Sequence, residues 1–156
     1  MTQDLHSTNC EVALKAAVDK LETALLTPVL AGELTTWITQ VQDCTDDLEE
    51  VLRPCLERLH SDFTEIAKAD NELLFRVEQM VEGEKSLLKM YDEFRRNLHL
   101  LATRAPKVFS DEAKVADERL RVEQQGTKLL TEFKRLQTAA STWLQEAVYR
   151  DRGPVD

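Results

Sequence analysis

Glycine and proline are scarce, with four of each in 156 residues. That is too little punctuation for the many tight turns of a β-sandwich or barrel. Period-two alternation of apolar and polar residues is also missing, so no strand is predicted. No apolar run approaches the roughly 18 residues that a membrane crossing requires. Met1 to His6 show neither a basic nor an apolar signal region, and the expected location is therefore the cytoplasm. The three cysteines, Cys10, Cys44 and Cys55, are odd in number, widely spaced and free of any C-x-x-C. This pattern suits neither a disulfide framework nor a zinc site, and it fits free thiols in a reducing compartment. Gly32 and Gly126 stand alone, so no glycine-rich loop exists to cradle a phosphate.

Charge, by contrast, is plentiful. Hydrophobic residues make up 42% and charged residues 31% of the chain, the composition of one globular domain with a real core. The net charge of −9 is unevenly placed: residues 1–70 hold 14 acids and 5 bases, whereas residues 71–156 hold 15 of each. Such a surface repels phosphate backbones and anionic lipid, which argues against nucleic-acid and membrane binding. A basic protein partner on the acidic face of the first two helices is compatible with it. A solvated face that keeps the domain in solution is the simpler reading.

Four helical segments are legible from apolar stripes spaced alternately by three and four. The first is expected at about 8–27, opened by a Thr8/Glu11 capping box and closed by Pro28 and Gly32. Its stripe is Cys10, Leu14, Ala17, Leu21 and Ala24, widened by Val18 and Leu25. The second, about 33–60, carries Trp37, Val41, Cys44, Leu48, Val51 and Cys55, and Pro54 predicts a bend near its last turn. Residues 61–69 look less regular, and Asp70-Asn71 offers the next cap. The third helix, about 71–103, has the seam Val77, Met80, Glu84, Leu87, Tyr91, Phe94, Leu98 and Leu101, ended by Ala105-Pro106. The fourth, about 111–150, begins after a Ser110 cap and carries Val122, Gly126, Leu129, Phe133, Leu136, Ala140, Trp143 and Ala147. Gly126 either weakens this helix by about 1 kcal/mol or admits a close neighbour. Gly153-Pro154 stops it. Short links favour an all-α, up-down-up-down antiparallel four-helix bundle.

Candidate chemistry is thin. Di-iron carboxylate bundles need two Glu-x-x-His motifs, and this chain has only Glu57 to His60, with His6 and His99 scattered. Cys44 lies among Asp43, Asp46 and Asp47, which oppose thiolate formation, so it is no nucleophile. The run Asp43, Asp46, Asp47, Glu49, Glu50 is helical and lacks the loop glycine and ligand order of a calcium site. No catalytic, cofactor-binding or metal-ligating residue is therefore assigned, and the chain is read as a non-enzyme.

Leu25-Leu-Thr-Pro28, then Glu33-Leu-Thr-Thr-Trp37, the stretch Leu74 to Leu88, and the ending Trp143 to Gly153 resemble bacterial hemerythrin-like domains. That resemblance implies a four-helix bundle around a di-iron site. Its ligands would be a histidine on the first helix, His-x-x-x-Glu on the second, a histidine on the third and His-x-x-x-acid on the fourth. Here His6 precedes the first helix, and His60 is followed at the fourth place by Thr64, with Glu65 one too far. Lys85 stands where the third histidine is expected, and the fourth helix has none. The resemblance thus implies a metal-free helical module acting by protein association or as a degenerate sensor. The rivals are a metal-binding, iron- or oxygen-handling protein with an unorthodox carboxylate-rich site, and an adaptor stable only as an oligomer.

Two geometric expectations follow. An antiparallel first hairpin puts Cys10 level with about position 53, so Cys10 and Cys55 should be neighbours as free thiols. Cys44, roughly 16 Å from Cys55 along the helix, cannot pair with it. Glu84, the one acid in an apolar seam, must reach the rim, find a cation or stay protonated. Partial burial beside a base is expected, with Lys15 the first candidate and Lys128 the second.

Overall fold

The seams and links build four long helices in the computed structural model, which describes the backbone of residues 2–69, 71–108 and 111–151. Helix α1 spans Thr2–Leu26, α2 Leu34–Ala69, α3 Leu74–Arg104 and α4 Ala116–Asp151. Single turns of 3₁₀ helix occupy Asn71–Leu73, Ala105–Val108 and Glu112–Val115. Among the described residues there is no strand, and no helix is long and apolar enough to cross a membrane.

Several expected boundaries are corrected. α1 starts at Thr2, so His6 lies within the first helix and does not precede it, and Thr8 and Glu11 are inside the helix and do not open it. Pro54 does not bring α2 near its end; the helix runs on to Ala69. Its inward stripe continues through Leu56, half-buried Leu59, Phe63 and Ala67. That continuation rests on few apolar residues, which is why it reads as irregular in sequence. The α3 and α4 starts are shifted inward by 3₁₀ turns, and neither Leu73 nor Asp111 makes a side-chain cap bond. The proposed caps Asp70 and Ser110 and the stop at Gly153-Pro154 lie outside the described residues.

The seams are otherwise where their periodicity puts them, with the side chain of Ala147 outside the described residues. All eight α3 residues from Val77 to Leu101 are buried, Glu84 included. Tyr91, Phe94 and Phe133 are fully buried with Leu21, Leu48, Leu87 and Leu129 in a core shared by all four helices. A smaller cluster, Phe63, Ala67, Val77, Met80 and Ala140, packs where α2, α3 and α4 meet beyond it. Trp143 closes that end, its ring 6.4 Å from Phe63 and edge-on.

Cross-helix contacts set the levels. α1 meets α2 at Ala24 and Trp37 and again at Cys10 and Cys55. α2 meets α3 through Thr45 and Tyr91, Arg53 and Asp92, and His60 and Glu84. α3 meets α4 through Arg76 and Glu146, Asn97 and Gln125, and Arg104 and Glu118. Lys134 of α4 reaches Glu22 of α1.

Two details explain how the first hairpin closes. Pro28 has no N–H, so it cannot satisfy the carbonyl of Ala24 four residues earlier. Trp37 Nε1 donates to that carbonyl at 2.9 Å, and the buried indole and the orphaned acceptor satisfy each other. Gly32 then turns the chain with φ +84°, in the left-handed region that glycine enters freely, and its N–H donates to Glu112 Oε1 at 3.0 Å.

Candidate functional site

Glu84 follows Met80 by four positions and precedes Leu87 by three, so helical periodicity alone turns it inward. It is 8% exposed. Its partner is neither Lys15 nor Lys128, both of which are exposed elsewhere; His60 Nδ1 lies 3.7 Å from Glu84 Oε2. The physical reason is the extra length of α2. With that helix running to Ala69, the turn into α3 falls near residue 72, and His60 and Glu84 sit at equal distances from it. Had the second helix been read to its true end, the same height count would have found His60.

Oε1 of Glu84 is buried and lacks a hydrogen-bond partner among the described residues. Burial pushes its carboxyl above the ordinary glutamate range, and the adjacent imidazole of His60 only partly opposes this. A cleft of about 280 Å³ opens over the pair, lined by Arg53, Leu56, Glu57, His60, Glu84 and Leu88. The Glu57–His60 spacing singled out in sequence is thus brought to Glu84. His99 is exposed on α3, and the side chain of His6 lies outside the described residues. Among the described residues, no three His, Cys, Asp or Glu side chains converge as a metal cradle.

About three turns from His60 along α2, Glu49 is held in a network that sequence reading did not foresee. Burial works to raise its carboxyl, but the adjacent Tyr91 hydroxyl, a hydrogen bond from Arg53 at 3.2 Å and the charges of Arg95 and Arg53 outweigh it and hold it below its ordinary range. Burial, with Glu49 second, pushes the Tyr91 phenol well above its usual value. Tyr91 donates its one hydroxyl proton to the carbonyl of Thr45 at 3.2 Å. The phenol therefore stays protonated and works as a structural strut. The remaining acids of the run, Asp43, Asp46, Asp47 and Glu50, are exposed, as a solvated face requires.

Cys10 and Cys55 are neighbours at the same end of the first hairpin, with Cα atoms 5.6 Å apart, but they are not free thiols: they form a disulfide. Two inward stripes at the same level bring the sulfurs within bonding reach. Cys44 is the free cysteine. Its thiol is pushed up by burial first and then by Asp47 and Asp43, which disfavours the reactive thiolate. The disulfide borders a larger groove of about 690 Å³ between α1, α2 and α4, floored by Leu14, Val18, Leu56 and Ala140.

No family model, curated protein or solved structure matches the chain.

The site must therefore be read from its own chemistry. The arrangement offers a buried carboxylate short of hydrogen-bond donors, an imidazole at its side and two leucines.

Proposed function

We propose that this chain is a metal-free, non-enzymatic helical module that acts by protein association or as a degenerate sensor. Its architecture is read as an up-down-up-down antiparallel bundle resembling the hemerythrin-like domains. In support, the contacting residue numbers along each neighbouring helix pair run in opposite directions, and the connections are short. The observation that carries the functional reading is the bundle centre. Tyr91, Phe94, Phe133, Leu129, Leu87 and Leu48 fill it, and every one of them is apolar or aromatic where a di-iron centre would need imidazoles and carboxylates. The acidic surface of α1 and α2 supplies the face for a basic partner, and association through it weakens as salt rises.

Growth in iron-supplemented medium, followed by metal analysis and thermal unfolding with and without added ferrous or zinc ions, tests this reading. The expected result is substoichiometric metal and an unchanged melting temperature, because a ligand that binds the folded state must raise it. Two irons per chain, with stabilisation, would establish the metal-binding rival. Sedimentation at two concentrations separates both from an adaptor that folds only as an oligomer. A cytoplasmic location belongs to this proposal too, and the Cys10–Cys55 bond stands against it, since disulfides persist in oxidising surroundings. Acid-trapped thiol counts on freshly extracted protein decide that point.

A further inference from the structure

Glu84 is more than nine-tenths buried, yet among the described residues no donor stands at hydrogen-bond distance from it. Oε1 is unpartnered, and His60 Nδ1 stands off from Oε2 at 3.7 Å. An ionised carboxylate in such a place is costly unless a cation or several donors reach it. The cleft above it has a second carboxylate, Glu57, one permanent cation, Arg53, and the imidazole of His60, which is a cation only when protonated. Arg53 is already committed, to Glu49 at 3.2 Å and to Asp92 at 3.6 Å. The lining is therefore short of permanent positive charge, while Leu56 and Leu88 give it apolar walls. A primary ammonium group supplies what is missing: one charge and three N–H donors, on a slender alkyl stem that can lie along leucines.

We propose that the cleft between α2 and α3 binds a primary alkylammonium group against Glu84, with Glu57 at its mouth and Leu56 and Leu88 along the stem. The group belongs either to a free small amine or to a lysine side chain of another protein. The proposal stands whether or not the chain associates through its acidic face.

The test is an NMR titration of the full chain with n-butylammonium, with n-butanol as the uncharged control. Saturable shifts centred on Leu56, Glu84 and Leu88 are expected, with none from n-butanol. Glu84→Gln should weaken binding by about tenfold or more, the scale of losing one partner of a buried charge pair. Leu88→Phe leaves the carboxylate in place and narrows the cleft, and it should also weaken binding, which keeps the test decisive if the Gln variant folds poorly. Nα-acetyl-lysine N-methylamide distinguishes the sources. Binding as tight as that of n-butylammonium points to a partner's lysine, and binding of the free amine alone points to a small metabolite-sized amine. The proposal is overturned if no saturation is reached at high-millimolar amine, if n-butanol shifts the same residues, or if both variants bind like the wild type.

Discussion

Glu84 shows at the scale of one residue how a local pattern can be obeyed at a cost. Its seam position dictates burial, and burial raises its carboxyl above the ordinary glutamate range. A raised acid is held more tightly by the folded chain than by the unfolded one. The stability it contributes is fully present below the unfolded-state value, about 4, and is lost as pH rises through the folded-state value. Glu84→Met, close in volume and uncharged, should therefore stabilise the protein at pH 7 by roughly 1 to 2 kcal/mol, the low end of what replacing a buried charge with an apolar side chain yields. Urea unfolding at a series of pH values checks this. The gain should shrink towards zero as pH falls below the glutamate range, and a gain that is flat with pH would mean the carboxyl is not the cause. Glu49 has the opposite sign: its lowered carboxyl contributes stability above the ordinary range, and that stability is lost as pH falls through the lowered value.

At the scale of elements, two helical glycines with similar sequence surroundings have opposite meanings. A Cβ on Gly126 of α4 would lie 2.6 Å from Leu25 Cδ1 and 3.1 Å from Phe94 Cε2, so α1 and α3 press on that helix where glycine lets them. Among the described residues, a Cβ on Gly83 of α3 would meet only Leu136 Cδ1, at 3.6 Å, an ordinary contact. Gly83→Ala should raise stability by about 0.5 to 1 kcal/mol through helix propensity. Gly126→Ala should gain the same propensity but lose more to overpacking, which costs about 1 to 3 kcal/mol, for a net loss of about 1 kcal/mol. Thermal unfolding of the two single variants makes the comparison. Equal gains from both would show that α4 has room to shift.

For the molecule as a whole, the Cys10–Cys55 bond is the one covalent tie between α1 and the rest beyond the chain itself. It closes a loop with a sequence separation of 45, and on loop-entropy grounds its removal should cost roughly 2 to 4 kcal/mol. Equilibrium unfolding of the Cys10→Ser/Cys55→Ser double variant should show that loss. Alkylation of the denatured, unreduced protein should label Cys44 alone, and all three cysteines after reduction. Three labels without reduction would mean the bond does not form.

Local rules acting on neighbours a few positions apart made the four helices, their inward faces and the burial of Glu84 legible in the sequence, because helical periodicity depends on nothing more distant. The meeting of Cys10 and Cys55 was legible too, since both are on inward stripes at matched heights. What the sequence by itself left open were quantities that depend on distant residues. The length of α2 past Pro54 was decided by Phe63 and Ala67 finding Val77, Met80 and Ala140 to pack against. That length decided which base faces Glu84. The role of Gly126 waited on Leu25, a hundred residues away in the chain, and the disulfide on two sulfurs being brought within bonding reach. In each case the sequence states the side chain's demand, for burial, a donor or space, and only the tertiary structure determines which neighbour meets it.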